Sequence, residues 1–395
     1  MNEQVIKLIK NADVFAPEHL GKRDILICDE KICAVEERLE VSVDGGPAVE
    51  VIDVQGAAVG PGYLDGHVHI TGGGGEQGPG SRVPECRSSE IVSCGVTTVL
   101  ALLGTDCISR SLENVLAKAR ALTEEGISAY MLTGSYRLPS PTLTGSVMRD
   151  LVLIDKVIGA KVALSDHRSS APTVEELARL FSEARVGGMV GGKAGICVVH
   201  MGSGATGPAP LLKAAEVSDA NLSKILPTHC GRSAQVFSSA VQYSREGGSF
   251  DLTAQAPAEA ARSGGAARLV AQALEQGVDI RQITVSSDGY GSQPVFNEKM
   301  ECTGMTYSRC STVHDELCRM VQAERIPLET ALRTVTSNVA DRMGLAGQKG
   351  AVRPGADADL VVWNSQMQIE RVFARGRLAF HQGKALLRGR FETAC

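Results

Sequence analysis

The 395-residue sequence has no excess of basic residues: 40 Lys and Arg stand against 45 Asp and Glu, a formal net charge of −5, and the cations are dispersed rather than clustered. That balance argues against a nucleic-acid footprint or binding to an anionic membrane surface, and toward small-molecule chemistry. Long apolar runs are missing as well. Charges interrupt every apolar stretch of MNEQVIKLIKNADVFAPEHLGKRD, which leaves no signal-peptide core, and no window reaches membrane-spanning length, so the expected location is the cytoplasm. The eleven cysteines, Cys28 to Cys395, contain no CxxC pair and are odd in number, in a chain too large to need disulfide staples. They are expected to be reduced and mostly buried as small apolar residues. No internal repeat is visible, and the only low-complexity feature is a short glycine run. A content of 43% hydrophobic and 22% charged residues suits a soluble globular chain with one large barrel or two domains.

From Ala57 to about Gly291, eight β-type runs recur at helix-plus-loop spacing: AAVGPGYLDGHVHI, GVTTVLALLG, SAYMLTGSY, VIGAKVALSDHR, AGICVVHMG, SKILPTHCG, GGSFDLTAQ and ITVSSDGYGS. Helical patterning fills the gaps, as in TVEELARLFSEARVGG, where Thr173 and Glu176 predict a capping box and Gly187 the helix end. The alternation predicts an α/β fold, a (β/α)8 TIM barrel over 61–345, whose chemistry gathers where strands run into the following loops. The ends read differently: VIKLIKNADVF, DILICDEKICAVEERL, AVEVIDVQG, ADLVVWN, QIERVFARGRLAF and KALLRG are short strands divided by polar turns. They predict a small β-sandwich domain built from 1–60 and 346–395.

Residues 64–80, LDGHVHITGGGGEQGPG, place His67 and His69 two apart at a strand end, so both side chains point to one face, the inside of the barrel. Lys161, His200, His229 and Asp288 occupy the ends of four other runs. A histidine in an apolar strand is commonly a satisfied core residue. Four histidines and an aspartate gathered at C-terminal strand ends are not accounted for by independent placement. His19, His314 and His381 lack such a position, and His167 lies just past a better candidate. Imidazoles with a carboxylate favour zinc or another borderline divalent ion, which lowers the pKa of bound water to about 7. Four histidines and one aspartate are too many for one tetrahedral site and too few for two closed ones unless a further anion bridges the metals. Lys161 is that anion if its amine captures carbon dioxide as a carbamate, and an internal ion-pair partner otherwise.

The set GHVHI, GAKVALSDHR, VVHMG, PTHCGR and SSDGYGS, with the terminal GAVRPGADADLVVW, resembles the amidohydrolase superfamily, in its branch with a carboxylated lysine, over essentially the whole chain. Within it, HVHITGGGGEQG carrying Glu76, together with Tyr136 in LTGSYR, Arg168 and Arg232, is similar to the β-aspartyl dipeptidases. HxH is common across the superfamily, whereas these residues are far more specific, and no position that carries chemistry departs from the pattern. The resemblance implies two divalent metal ions, zinc foremost, with His67 and His69 on the first and His200 and His229 on the second. Carbamylated Lys161 would bridge both, and Asp288 would ligate one while taking the proton of a bridging hydroxide that attacks the amide carbonyl. Tyr136 would donate a hydrogen bond to the carbonyl oxygen, and Asp288 would return its proton to the departing amine. A homo-oligomer, an octamer, is implied as well.

A β-aspartyl dipeptide carries an α-ammonium, a carboxylate beside it and a second carboxylate on the leaving amino acid. On this reading Glu76 receives the ammonium and Arg168 and Arg232 the carboxylates, with Gly74, Gly75, Thr105 and Ser292 adding polar contacts and glycine letting backbone approach a small ligand. A cyclic-amide hydrolase of the dihydropyrimidinase or hydantoinase type shares the metal centre without needing Glu76 and two arginines, and a non-catalytic scaffold on the same barrel is a third class. Residues 73–78 also satisfy GxGxxG, but Pro79 and Gly80 follow where a helix must continue, and the later acidic residue is absent, which argues against a dinucleotide site.

Overall fold

A computed structural model describes residues 6–42, 48–204, 206–296 and 302–392. Eight strands succeed one another as β1 (Tyr63–Val68), β2 (Val96–Ala101), β3 (Ser128–Gly134), β4 (Val157–Leu164), β5 (Ile196–Met201), β6 (Ile225–Thr228), β7 (Phe250–Thr253) and β8 (Ile283–Ser286). Their side chains are buried almost throughout, as parallel strands covered on both faces require. Strands β1 to β6 pair in chain order in one curled parallel sheet, and β7 pairs with β8. Single backbone bonds stitch the seams: Cys230 N–H to Asp251 O beyond β6, and His69 N–H to Gly289 O (2.8 Å) with Gly289 N–H to His67 O (3.2 Å) between β1 and the end of β8. The architecture is of the TIM-barrel type, and each of the eight runs read from the sequence contains one barrel strand.

The helix Val174–Gly191 follows β4 and opens on the expected capping box of Thr173 and Glu176. It does not stop at Gly187 as expected; it ends at Gly191, with Gly192 in the left-handed conformation as cap. Gly187 and Gly188 serve packing instead, since a Cβ at either would stand 2.9 Å from Leu151 or 2.6 Å from Gly195. The first run also divides, because Ala58–Pro61 leaves the barrel and joins the strands of the two termini.

Those terminal strands form one continuous nine-stranded sheet. Its path runs Lys384–Ala385, Arg377–His381, Ile369–Ala374, Leu360–Trp363, Ala58–Pro61, Ile6–Phe15, His19–Cys28 and Lys31–Glu36, with Val49–Asp53 also paired to Ile6–Phe15. Ala58–Pro61 is the join, antiparallel to Leu360–Trp363 and parallel to Ile6–Phe15. An apolar cluster of its own, including Ile9, Ile25, Ile27, Val59, Leu360 and Phe373, underlies this sheet. Trp363 Nε1 donates to the Tyr63 hydroxyl at 2.8 Å, tying the sheet to the foot of β1. The nine cysteines whose side chains are described are all free, five of them buried. Among the described residues no helix is long and apolar enough to cross a membrane.

Candidate active site

The C-terminal strand ends bring the predicted side chains together. His67 and His69 leave β1 on its inner face, and both are buried. His67 Nε2 lies 3.2 Å from Lys161 Nζ and 3.4 Å from Asp288 Oδ1, while His69 Nε2 lies 3.2 Å from the same oxygen. The ring of His229 is 4.9 Å from that of His67 and 4.5 Å from that of His200. His229 and Asp288 both adopt positive φ, 62° and 52°, a conformation rare outside glycine that turns each side chain inward within two residues of its strand end.

The imidazoles of His67, His200 and His229 are kept neutral. Burial, then the charge of Lys161, holds His67 well below the ordinary histidine range, and burial with the neighbouring His200 and Arg232 does the same for His229. His200 falls to about 3, chiefly through burial, although Asp166 opposes the shift. Lys161 is fully buried, and desolvation lowers it to about 7 against the pull of Asp288 and Asp251, so much of the amine is unprotonated near neutral pH, the form that adds carbon dioxide. For Asp288 burial pushes upward, yet His69 beside it and the charges of His67, His69 and Lys161 hold the carboxyl below the usual range. Burial pushes the Tyr136 phenol far up, so it stays a donor, and its hydroxyl meets His200 Nδ1 at 2.6 Å.

The donor set suits divalent cations. His67, His229 and Asp288 bring one ligating atom each within 4.8 Å of one another. Two buried atoms there, His229 Nε2 and Asp288 Oδ1, have no hydrogen-bond partner among the described residues; the approaches of His67 and His69 to Asp288 are close contacts without hydrogen-bond geometry. Buried polar atoms without partners are costly, and a bound cation would satisfy both. His229 Nδ1 is engaged by Thr253 Oγ1 at 2.7 Å, which fixes the ring and leaves Nε2 facing inward.

Above this cluster lies a charged rim. Glu76 accepts from Ser292 Oγ (3.0 Å) and Thr105 Oγ1 (3.3 Å), and Arg168 Nη1 stands 3.5 Å from Glu76 Oε1. Thr105 and Ser292 thus hold the Glu76 carboxylate from either side. Arg168 grips Asp166 through Nε (2.9 Å) and Nη2 (3.0 Å), and Arg232 Nη1 reaches the same carboxylate at 3.2 Å. A cavity of about 260 Å³ opens between Asp166, Arg168, Arg232 and Ser203. A smaller apolar cavity of about 160 Å³, lined by Phe181 and Cys197 among others, sits at the opposite, N-terminal end of β5 and β6, away from every ligating group. The glycine run folds back on itself: a Cβ at Gly72 or Gly74, at φ of 79° and 81°, would strike the carbonyl oxygens of Val83 or Ser81. Gly75 has open space around it apart from the Asp106 and Arg82 side chains. Buried Arg110 clamps the loop by donating to the carbonyls of Thr71 and Val83.

Residues 251–379 match the model of the amidohydrolase family. The β-aspartyl dipeptidase of the thermophilic, keratin-degrading Fervidobacterium islandicum AW-1, whose structure is known in complex with the β-Asp-Leu dipeptide, is 40% identical, with 96% of this chain and 98% of that chain covered and a TM-score of 0.87. The chain belongs to the amidohydrolase family. The dihydropyrimidinase of Brevibacillus agri NCHU1002 shares the fold at 15% identity and a TM-score of 0.68, over 97% of each chain. A dihydroorotase of Staphylococcus epidermidis is 29% identical over 119 residues, a stretch that is 30% of this chain and 27% of that relative's length.

Within this amidohydrolase, sequence reasoning passed over three carboxylates. Asp65 lies on the inner face two residues before His67; it accepts from Ser287 N–H (3.0 Å) and the Ser287 hydroxyl, and burial lifts it to about 7. Asp251, lifted by burial to about 6, accepts from the hydroxyls of Thr228, Thr284 and Ser286, each at 2.7 Å. Both form a floor beneath the ligand layer, and strand alternation in LDGHVH and FDLT was the available signal. Asp166, in SDHR, is the third. Its neighbour Arg168 drew the attention, and only the fold shows the carboxylate turned inward.

Proposed function

We propose that the chain is a binuclear metallo-dipeptidase that hydrolyses β-aspartyl dipeptides. The observation that carries the reading is the rim of Glu76, Arg168 and Arg232 beside a buried cluster of imidazoles and a carboxylate, a charge pattern complementary to a ligand with one ammonium and two carboxylates. The β-Asp-Leu complex of the 40%-identical relative supports the same substrate class. His67 and His69 would hold one divalent ion, zinc by ligand type, and His200 and His229 the other, with Lys161 as carbamate between them and Asp288 completing the set. Bound ions supply the activated water and the Lewis acidity that amide hydrolysis needs.

The chain's own residues do the rest. Asp288, low in pKa and near the centre of the cluster, takes a proton from the attacking water and returns it to the departing amine nitrogen. Tyr136, held protonated by burial, donates to the oxygen on which charge develops. Glu76, fixed by Thr105 and Ser292, receives the α-ammonium, and the guanidinium groups of Arg168 and Arg232 orient the carboxylates. Gly75 leaves the loop open beside Glu76, and the clamp of Arg110 on the Gly72–Gly74 turn keeps that loop in place. The division into a barrel of 61–345 and a terminal β-domain of 1–60 with 346–395 belongs to the same proposal, with the chemistry confined to the barrel. Metal analysis together with turnover of β-Asp-Leu against a hydantoin tests it: two ions per chain with dipeptide cleavage is expected, and hydantoin cleavage without dipeptide cleavage would replace the reading by a cyclic-amide hydrolase.

A further inference from the structure

Asp166 gathers more of the site than any other side chain, although it is assigned no part in the chemistry above. Its side chain is 3% exposed. Oδ2 accepts from His200 Nε2 (2.9 Å), Arg168 Nη2 (3.0 Å) and Arg232 Nη1 (3.2 Å), and Oδ1 from Arg168 Nε and the Arg168 backbone N–H, both at 2.9 Å. Five donors converge on one carboxylate.

Two consequences follow from the hydrogen-bond chemistry. A carboxylate set between two guanidinium groups only accepts, so His200 Nε2 must carry the ring proton, and Nδ1 presents its lone pair inward, where it accepts from the Tyr136 hydroxyl at 2.6 Å. The other tautomer would place a nitrogen lone pair 2.9 Å from a negative oxygen. The guanidinium nitrogens able to donate to that lone pair stand farther off, at 3.3 Å. The second consequence concerns the arginines: Arg168 spends its Nε–Nη2 edge on Asp166, so Nη1, 3.5 Å from Glu76 Oε1, is the nitrogen turned toward the substrate rim, whereas Arg232 spends only Nη1 on Asp166.

We infer that Asp166 is a positioning residue: it fixes the tautomer that leaves the His200 lone pair on Nδ1, where a metal would displace the Tyr136 hydroxyl and free it for the substrate oxygen, and it sets which guanidinium edges face the substrate. The inference rests on the metallo-dipeptidase reading, which it deepens. Carboxylates behind ligating imidazoles fix tautomer and ring orientation, and their loss typically weakens metal binding or activity by about 10–100-fold.

The test is zinc release from the metal-loaded full-length enzyme into a chromogenic chelator, for wild type and Asp166→Asn. The asparagine keeps the shape but can turn an N–H toward His200 Nε2, stabilising the unsuitable tautomer. The expected result is that one of the two ions leaves about 10–100-fold faster while the other keeps its wild-type rate. With cobalt in place of zinc, the visible absorption should change, and kcat should fall at least about tenfold with a smaller change in KM. Unchanged release of both ions from a folded variant, or equal acceleration of both, overturns the inference. If Asp166→Asn does not give a cooperative melt, Asp166→Ser with and without formate takes its place: slowing of release by formate supports the role, and no effect of formate overturns it. Failure of the dipeptidase reading shows separately, as wild-type enzyme that holds both ions yet leaves β-Asp-Leu intact.

Discussion

Replacing Glu76 by glutamine removes the charge assigned to the substrate ammonium while keeping an oxygen that Thr105 and Ser292 can still hold. A hydrogen bond to a charged partner is worth about 1.5–3 kcal/mol. The Glu76 side chain is 23% exposed, so solvent screening trims the value toward the lower half of that range, about 2 kcal/mol. That energy corresponds to roughly a 30-fold loss in kcat/KM for β-Asp-Leu. The decisive assay compares the free dipeptide with its N-acetyl derivative on both enzymes. Wild type should lose at least about 30-fold on acetylation, because the cation is gone, whereas Glu76→Gln, already impaired, should lose no more than about threefold. Equal loss in the two enzymes would show that Glu76 and the ammonium do not interact. Equal rates of wild type on free and acetylated substrate would reduce the chain to a broader amidase.

Three further outcomes are expected. Lys161→Ala should lose metal and activity together, as measured by metal analysis and turnover, with partial rescue by a small added carboxylate; full metal content with normal turnover would remove the bridging role. Asp288→Ala should lower kcat by about a hundredfold or more with a smaller effect on KM, metal content being measured on the same sample because the residue is also a ligand. Gly74→Ala, at φ 81° with its Cβ driven into Ser81 O, should destabilise the loop by about 1–3 kcal/mol, visible as a lower melting temperature and a raised KM for β-Asp-Leu.

Much of this site was legible because strand geometry is simple. Alternation places His67 and His69 on one face, and the positions of His200, His229 and Asp288 at or just past their strand ends direct them to one end of the barrel, whereas Lys161, expected at a strand end, lies within β4, three residues before Leu164. What pattern cannot give is which polar side chains pair after the barrel closes. Thr105 and Ser292 read as groups for the substrate, and the fold sets both on Glu76, 29 and 216 residues away in sequence. Asp166 and Asp251 read as ordinary loop and strand residues until their partners arrive from other strands, 66 residues away in the bond from Arg232 to Asp166. Gly187 carried the signature of a helix stop, but tertiary packing against Leu151 uses the missing side chain differently and the helix continues. The glycines beside Glu76 show the same ambiguity: composition announced a close approach, and the fold shows that Gly72 and Gly74 approach their own loop.

The central claim is that the charged rim reads a β-linked aspartyl residue, and the most direct measurement is kcat/KM for β-Asp-Leu against α-Asp-Leu on one metal-loaded preparation. In the α isomer the carboxylate beside the ammonium is consumed by the peptide bond, so Glu76 or an arginine is left without its partner. The account predicts a preference for the β isomer of at least about a hundredfold, lost together with metal on chelation. Equal turnover of the two isomers would contradict it.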